Sequence, residues 1–402
     1  MPSDKFWLTL AILPWLLFAA PPAMASGQAP APLVSLGARL LVDLGYHHLD
    51  AEQTANQRQA VTSAYANLAS NSYLRATFTS PDQVAGGMVE LGLNSKLGNA
   101  EATTLRYAYG WWRSGHFRLL AGQDEGWLGG LTHAPKQALG TSQAGKVYLC
   151  EWGLLYSGRH PQARLEYHRQ AWAVSLALVQ PLAELTPQQS GGVTTGSQAL
   201  PATVDLYDHL PRLDLAFSFT LGGLWLGPGV GWAQHRLENP PGGDDAFASW
   251  AAILPFKFAH GPLTLKGELH WAQNNDYEWS GNVLSGLRGL PRSAIFLRPD
   301  GSISDTRQVG GFLAVEWKLT ARWEATAGLG LERLTNDAWK DSAHYPQDSY
   351  TRRAVFIAFP YQLTPNFTVH PELGLYDYGD DIRSGRAYGD EWLAGVQFRW
   401  IF

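Results

Sequence analysis

The chain has 402 residues, a formal net charge of −5 and one cysteine, Cys150. That charge gives no electrostatic footprint for nucleic acid, and a lone cysteine excludes an intrachain disulfide and makes a thiol metal centre a poor fit. Charged residues are 16% of the total, under the roughly 25% of an average soluble domain, while hydrophobic residues reach 45%.

In chain order, Phe6 to Ala20 is an apolar run broken by Pro14, followed by Pro21-Pro22 and Ala23-Met24-Ala25. Small-x-small before Ser26 is the shape of a signal-peptidase site. Residues 1–25 therefore read as an export signal and 26–34 as a short N-terminal segment. The apolar run is too short for a good membrane span, and no later stretch of 18 or more apolar residues offers a transmembrane helix.

From residue 35 onward the chain reads at period two. Alternating segments lie near 35–46, 72–79, 87–94, 103–113, 116–123, 162–169, 171–180, 211–220, 223–236, 247–259, 262–273, 309–319, 322–334, 351–362, 366–377 and 391–402. Short joins (114–115, 170, 221–222, 260–261, 320–321, 363–365) alternate with long polar ones (47–71, 124–161, 181–210, 237–246, 274–308, 335–350, 378–390). An exported chain with 17 Trp, 42 Gly and such loop parity reads as all-β. Specifically, it reads as a transmembrane antiparallel up-and-down β-barrel of about 16 strands, with short periplasmic turns and long external loops. Residues 35–402 form that barrel. Lys146 to Tyr156 also alternates; as a strand it would break the even count, so it is assigned to the 124–161 connection, and an eighteen-stranded count stays open.

In a barrel of this width the lumen is aqueous. A Lys or Arg on the lipid face at mid-membrane costs roughly 2–4 kcal/mol, so charges belong inside. This sends Arg39, Asp43, Arg75, Glu90, Arg106, Arg118, Arg164, Glu166, His168, Arg212 and Asp214 inward from the early strands. Lys266, Glu268, His270, Glu316, Lys318, Glu324, Glu332, His370 and Glu372 go inward from the later ones. The early wall is rich in Arg and the later wall in Glu, which across a closed lumen would make a transverse field. In the fourth strand this reading puts Leu105, Tyr107, Tyr109 and Trp111 on the lipid face. Tyr46, Trp111, Trp271, Trp317, Trp323 and Trp400 are candidates for interfacial girdles or subunit contacts.

The last strand places Ala394, Val396, Phe398, Trp400 and the terminal Phe402 on one face. This ending resembles the closing strand of bacterial outer-membrane barrels. Arg106 to Gly110, Leu119 to Gln123 and Pro161 to Tyr167 resemble the fourth, fifth and sixth strands of the sixteen-stranded porin family, nearest to its small-anion, dicarboxylate or phosphate type. The resemblance implies that the 124–161 loop folds inward as a constriction, with Arg106, Arg118 and Arg164 as a basic wall and Asp124 and Glu125 on the loop opposite. It also implies a homotrimer in outer-membrane lipid.

The expected function is passive diffusion of small hydrophilic solutes across the outer membrane, mildly anion-preferring, with no cofactor and no catalysis. The expected channel-lining residues are Arg39, Arg75, Arg106, Arg118, Asp124, Glu125, Lys136, Arg164 and Arg212. The alternatives are an export or assembly barrel, or a barrel enzyme using His47, His48 and Asp50 or Asp380 and Asp381. Adjacent strand residues point to opposite faces, which disfavours the first of those groupings. No phosphate-binding glycine loop, HExxH or nucleophile elbow is present.

Overall fold

The computed structural model describes residues 33–53, 57–95, 104–139, 149, 152–181, 188–189, 205–208, 210–238, 245–279, 293–298, 302–341, 347–380 and 389–402. The expected export signal at 1–25 lies outside the described residues, as do Cys150 and Asp381.

Sixteen antiparallel strands close into one barrel. They are β1 (Leu33–Gln53), β2 (Gln57–Thr79), β3 (Ala85–Ser95), β4 (Thr104–Ser114), β5 (Phe117–Glu125), β6 (Arg159–His168), β7 (Trp172–Val179) and β8 (Arg212–Leu221). Then come β9 (Leu224–Leu226 and Gly229–Glu238), β10 (Ala246–His260), β11 (Leu263–Gln273) and β12 (Arg307–Lys318). The last four are β13 (Glu324–Thr335), β14 (Ser349–Ala358 and Tyr361–Thr364), β15 (Phe367–Asp377) and β16 (Asp390–Ile401). β9 and β14 are interrupted at Pro228 and Pro360, since proline has no N–H to give to a ladder. The seam pairs β1 with β16 from Arg39↔Ile401 to Asp50↔Asp390. Phe402 finishes it: its N–H donates to the Ala38 carbonyl at 2.9 Å, and the Ala38 N–H donates back to the Phe402 carbonyl at 3.1 Å.

Turns on one end are short because their residues suit reversal. Gly115, Gly222 and Gly261 take φ of 55°, 57° and 55°, the left-handed region glycine enters without steric cost. In the turn after β2, the Asp82 carboxylate accepts hydrogen bonds from the Ser80 hydroxyl and the Val84 N–H. Those bonds hold its pKa below the usual carboxylate range.

The 47–71 stretch, expected as a long polar connection, is mostly strand. β1 and β2 continue past the barrel rim as a tall hairpin, paired as far as Gln53↔Gln57. Polar residues satisfy a ladder as well as apolar ones do, so polarity alone hid the strand. The short pieces Phe296–Leu297, Ile303–Ser304 and Gln188–Gln189 join the 274–306 and 180–211 loops in a small outer sheet.

The outer wall is an apolar belt. Leu254, Leu269, Leu313, Leu329, Val355 and Leu373 are exposed on it, and hydrocarbon is the solvent that suits such a surface. Exposed and half-buried aromatics border the belt: Tyr46 against Trp392 (ring centroids 5.5 Å apart) and Trp250 against Trp271 (5.0 Å) toward one end. Trp323 against Tyr361 (4.4 Å) and Phe367 against Trp400 (4.8 Å) mark the turn end. Replacing Leu313 by Arg should cost about 2–4 kcal/mol, and Leu319→Arg beside the turn only about 0–1 kcal/mol, because the penalty falls with depth. Urea titration of the barrel folded in lipid vesicles measures both.

Candidate functional site

The described parts of the 126–158 connection, 126–139, Leu149 and 152–158, turn into the barrel and lie against the later wall. Of segment 146–156, Leu149 and Trp152 to Tyr156 are described, and these fold into the lumen and form no strand of the barrel wall. Leu139, Leu149, Trp152 and Leu154 pack there with Phe312, Leu334, Phe356 and Tyr376 in a buried apolar cluster. Full burial of such side chains contributes roughly 1.5–3 kcal/mol each.

The loop backbone brings N–H groups into a space without a sheet partner, and each buried one needs an acceptor. Carboxylates of the wall supply it. Glu316 accepts from the Lys136 N–H at 2.9 Å and Glu372 from the Ala138 N–H at 2.5 Å. Glu332 accepts from the Gly153 N–H at 3.1 Å and Glu268 from the Leu155 N–H at 2.7 Å. The wall also donates: Lys266 Nζ to the Ala134 carbonyl at 3.0 Å, and Gln397 Nε2 to the Ala138 carbonyl at 3.1 Å. His133 adds a side-chain anchor, with Nε2 2.6 Å from Glu268 Oε2 and its ring stacked on Phe312 at 5.7 Å.

Close approach is possible because the wall is bare at the point of contact. A Cβ at Gly330 would collide with the Trp152 carbonyl oxygen, and one at Gly153 with the Gly311 carbonyl. Most glutamates of the later wall are thus covered: Glu268, Glu316, Glu332 and Glu372 are buried, while Glu324 keeps 14% of its side chain exposed beside Lys136. The expected transverse field loses most of its acidic half, because those carboxylates hold the loop instead of facing water.

On the early wall two arginines stay wet, and Arg106 keeps 10% of its side chain exposed. Arg75 has 36% of its side chain exposed and Arg118 has 22%. Glu90 is shared by Arg75 Nη2 at 2.5 Å and Arg106 Nε at 2.7 Å. Arg106 also donates to Asn71 Oδ1 at 3.1 Å. Glu166 is shared by Arg118 at 3.3 Å and Arg164 at 2.7 Å. At Glu90 one carboxylate between two guanidiniums leaves positive charge over, whereas Arg164 also pairs with Asp124 and the group around Glu166 is balanced. Arg39 lies 4.6 Å from the centre of the Tyr73 ring and donates to the Asn71 carbonyl at 2.9 Å. On the loop, Thr132 and Lys136 are exposed; Lys136 has 46% of its side chain in solvent and pairs with Glu324 at 2.6 Å.

The remaining expected residues sit elsewhere. Asp124 and Glu125 are the last two residues of β5, on the same wall as the arginines and not on a loop facing them. Asp124 bonds Arg164 at 2.6 Å, and Glu125 accepts from the Leu131 N–H and the Tyr107 hydroxyl. Arg164 is 4% exposed, surrounded by Asp124, Glu166, Gln162 and the Glu125 carbonyl. Arg212 is 1% exposed and is held by Asp214 and the Glu278 carbonyl beneath Trp279. Both are structural ties beside the channel.

The fourth strand corrects the sequence reading. A bulge falls between the pairs Glu90↔Tyr107 and Leu91↔Leu105, so Arg106 is the extra residue. Tyr107, Tyr109 and Trp111 turn inward with Arg106, and the exposed Leu105 and Trp112 take the outer face. One inserted residue flips every side chain beyond it. Alternation counted without a partner strand has no access to this shift.

The alternative catalytic grouping is split across the wall. His47 turns in to Glu391 at 3.4 Å, while His48 bonds Thr62 at 2.6 Å. No group of three or more His, Cys, Asp or Glu suited to a metal ion occurs among the described residues.

An apolar outer belt, a seam closed on itself and a long loop packed inside define a transmembrane β-barrel narrowed by an inward loop. No protein-family profile and no curated protein sequence matches the chain. Solved structures do. The outer-membrane channel DcaP of Acinetobacter baumannii superposes with a TM-score of 0.69 at 16% identity, covering 94% of this chain and all of that one. The anion-selective porin from Comamonas acidovorans gives 0.58 at 12% identity over 92% of this chain and all of its own. OmpF of Salmonella typhi gives 0.55 at 9% identity, over 91% of this chain and 97% of its own. This chain therefore has the fold of the sixteen-stranded outer-membrane porins.

Gly330→Leu should force the Trp152 carbonyl off the wall and release the loop. Trypsin added to the folded barrel should then cut after Lys136 at least about tenfold faster than in the parent, since cleavage tracks the open population.

Proposed function

We propose that the protein is a passive diffusion channel of the outer membrane for small hydrophilic solutes, with a mild preference for anions. One observation carries this reading: the inward loop covers most of the glutamate wall and leaves Arg75 and Arg118 of the opposite wall open to water. Arg is charged at every physiological pH and offers several donors, so a row of them attracts carboxylate or phosphate groups and passes them on if each contact is weak. Arg39, Arg75, Arg106 and Arg118 would line the passage, with Lys136 on the loop across from them. The fold shared with an anion-selective porin agrees with this choice of sign. We further propose that residues 1–25 are an export signal cleaved before Ser26, and that three copies associate side by side in the membrane. No catalytic step is assigned to the chain.

The test is planar-bilayer recording of the refolded protein in a salt gradient. Stepwise conductance with a reversal potential on the anion side is expected. Arg106→Gln and Arg118→Gln should each lower the anion-to-cation permeability ratio about twofold at low salt, the effect of one charge about 8 Å from the solute in water. High salt should shrink the difference by screening. A folded barrel that passes no current would refute the open channel.

A further inference from the structure

We propose that Tyr73 and Trp111 are positioning residues for selectivity: their rings hold the channel arginines in place without neutralising them. This rests on the reading of the chain as an anion-preferring channel. Each ring gathers two guanidiniums from neighbouring positions. Arg39 and Arg75 lie 4.6 and 4.5 Å from the centre of the Tyr73 ring. Arg113 and Arg118 lie 5.4 and 5.5 Å from the centre of the Trp111 ring.

The register makes these groupings. Arg39 is directly opposite Tyr73 across β1 and β2, and Arg75 is two residues along the same face. Arg113 is two residues beyond Trp111 and directly opposite Arg118 across β4 and β5. Like charges brought face to face would normally splay apart. The negative face of an aromatic ring attracts both cations and reduces that tendency.

The alternative way to fix an arginine is a carboxylate, and it cancels the charge. An aromatic ring fixes the guanidinium plane and leaves the full charge in the water of the channel. The two devices sit side by side here. Arg164 is surrounded by carboxylates and amide oxygens and is buried, whereas Arg113 is exposed and no carboxylate among the described residues comes within ion-pair reach of it. Arg75 and Arg118 use both devices, each sharing its carboxylate with a second arginine. Trp111 reaches the lumen only because of the bulge at Arg106.

The experiment compares Tyr73→Phe, Tyr73→Leu, Trp111→Phe and Trp111→Leu in the full-length refolded barrel, none of which alters formal charge. Reversal potentials in a salt gradient are read beside Arg118→Gln. The two Leu variants should lower the anion-to-cation ratio to about half the parent value as the arginines relax toward carboxylates, and the two Phe variants should keep most of it. Parent-like ratios in the Leu variants, with a clear drop in Arg118→Gln, would overturn the proposal and leave the rings as packing. No drop in Arg118→Gln either would overturn the anion-channel reading and this inference with it. If Trp111→Leu fails to fold, Arg113→Lys takes its place. It keeps the charge but gives up the planar group that lies over the ring, so an unchanged ratio there also overturns the proposal.

Discussion

The need to satisfy backbone N–H and C=O groups where water is absent governs this molecule. In hydrocarbon a strand must have a partner on each side, and only a sheet closed on itself provides that. Closure fixes two faces, and alternation then sorts every residue into lipid or lumen. The inward loop meets the same requirement in a second setting. Its amides have no sheet to join, so Glu268, Glu316, Glu332 and Glu372 reach from the wall to accept them. The charge pattern of the channel is a by-product of that backbone requirement.

The lumen is accordingly divided by use. Carboxylates of β11 to β15 are committed to the loop, and an apolar cluster around Trp152 seals the contact. Arg75, Arg113 and Arg118 of β2, β4 and β5 keep access to water because the loop lies against the other wall. A census of charged residues would predict a dipolar passage, with −5 on the whole chain. Burial decides otherwise, since a carboxylate bonded to buried amides does not meet a passing ion.

Much of this was legible in the sequence, and the gaps have definite causes. Strand number, loop parity and the inward direction of charges rest on period two and on the cost of charge in lipid, both local rules. The closing strand read correctly to its final Phe402. The β1–β2 hairpin was missed because a strand beyond the membrane edge is no longer required to be apolar. The face of β4 was misread because a bulge is a property of two strands, visible only in the Glu90↔Tyr107 and Leu91↔Leu105 pairs. Arg164 and Arg212 looked the same as Arg75 in sequence. Their burial depends on Asp124 and on Glu278 of a distant loop, and no spacing encodes that. Nor could the anchoring role of Glu372 be read without knowing where Ala138 would lie.

The seam has a consequence for the order in which the barrel can be built. Asp43 and Gln397 are hydrogen-bonded at 2.8 Å across a sequence separation of 354. Bringing ends so far apart together costs about 5 kcal/mol of chain entropy by the logarithmic rule, and nothing offsets it until the whole chain is present. High contact order of this kind makes folding slow and leaves both edge strands exposed meanwhile. The loop cluster around Trp152 is enclosed by the wall that the seam completes, so the filling must be in place as the vessel shuts. Gln397 spans both events, since its side chain reaches Asp43 across the seam and the Ala138 carbonyl on the loop. A barrel closed with its loop outside would lack that shared contact, and this gives the final zipping step a built-in check on the interior.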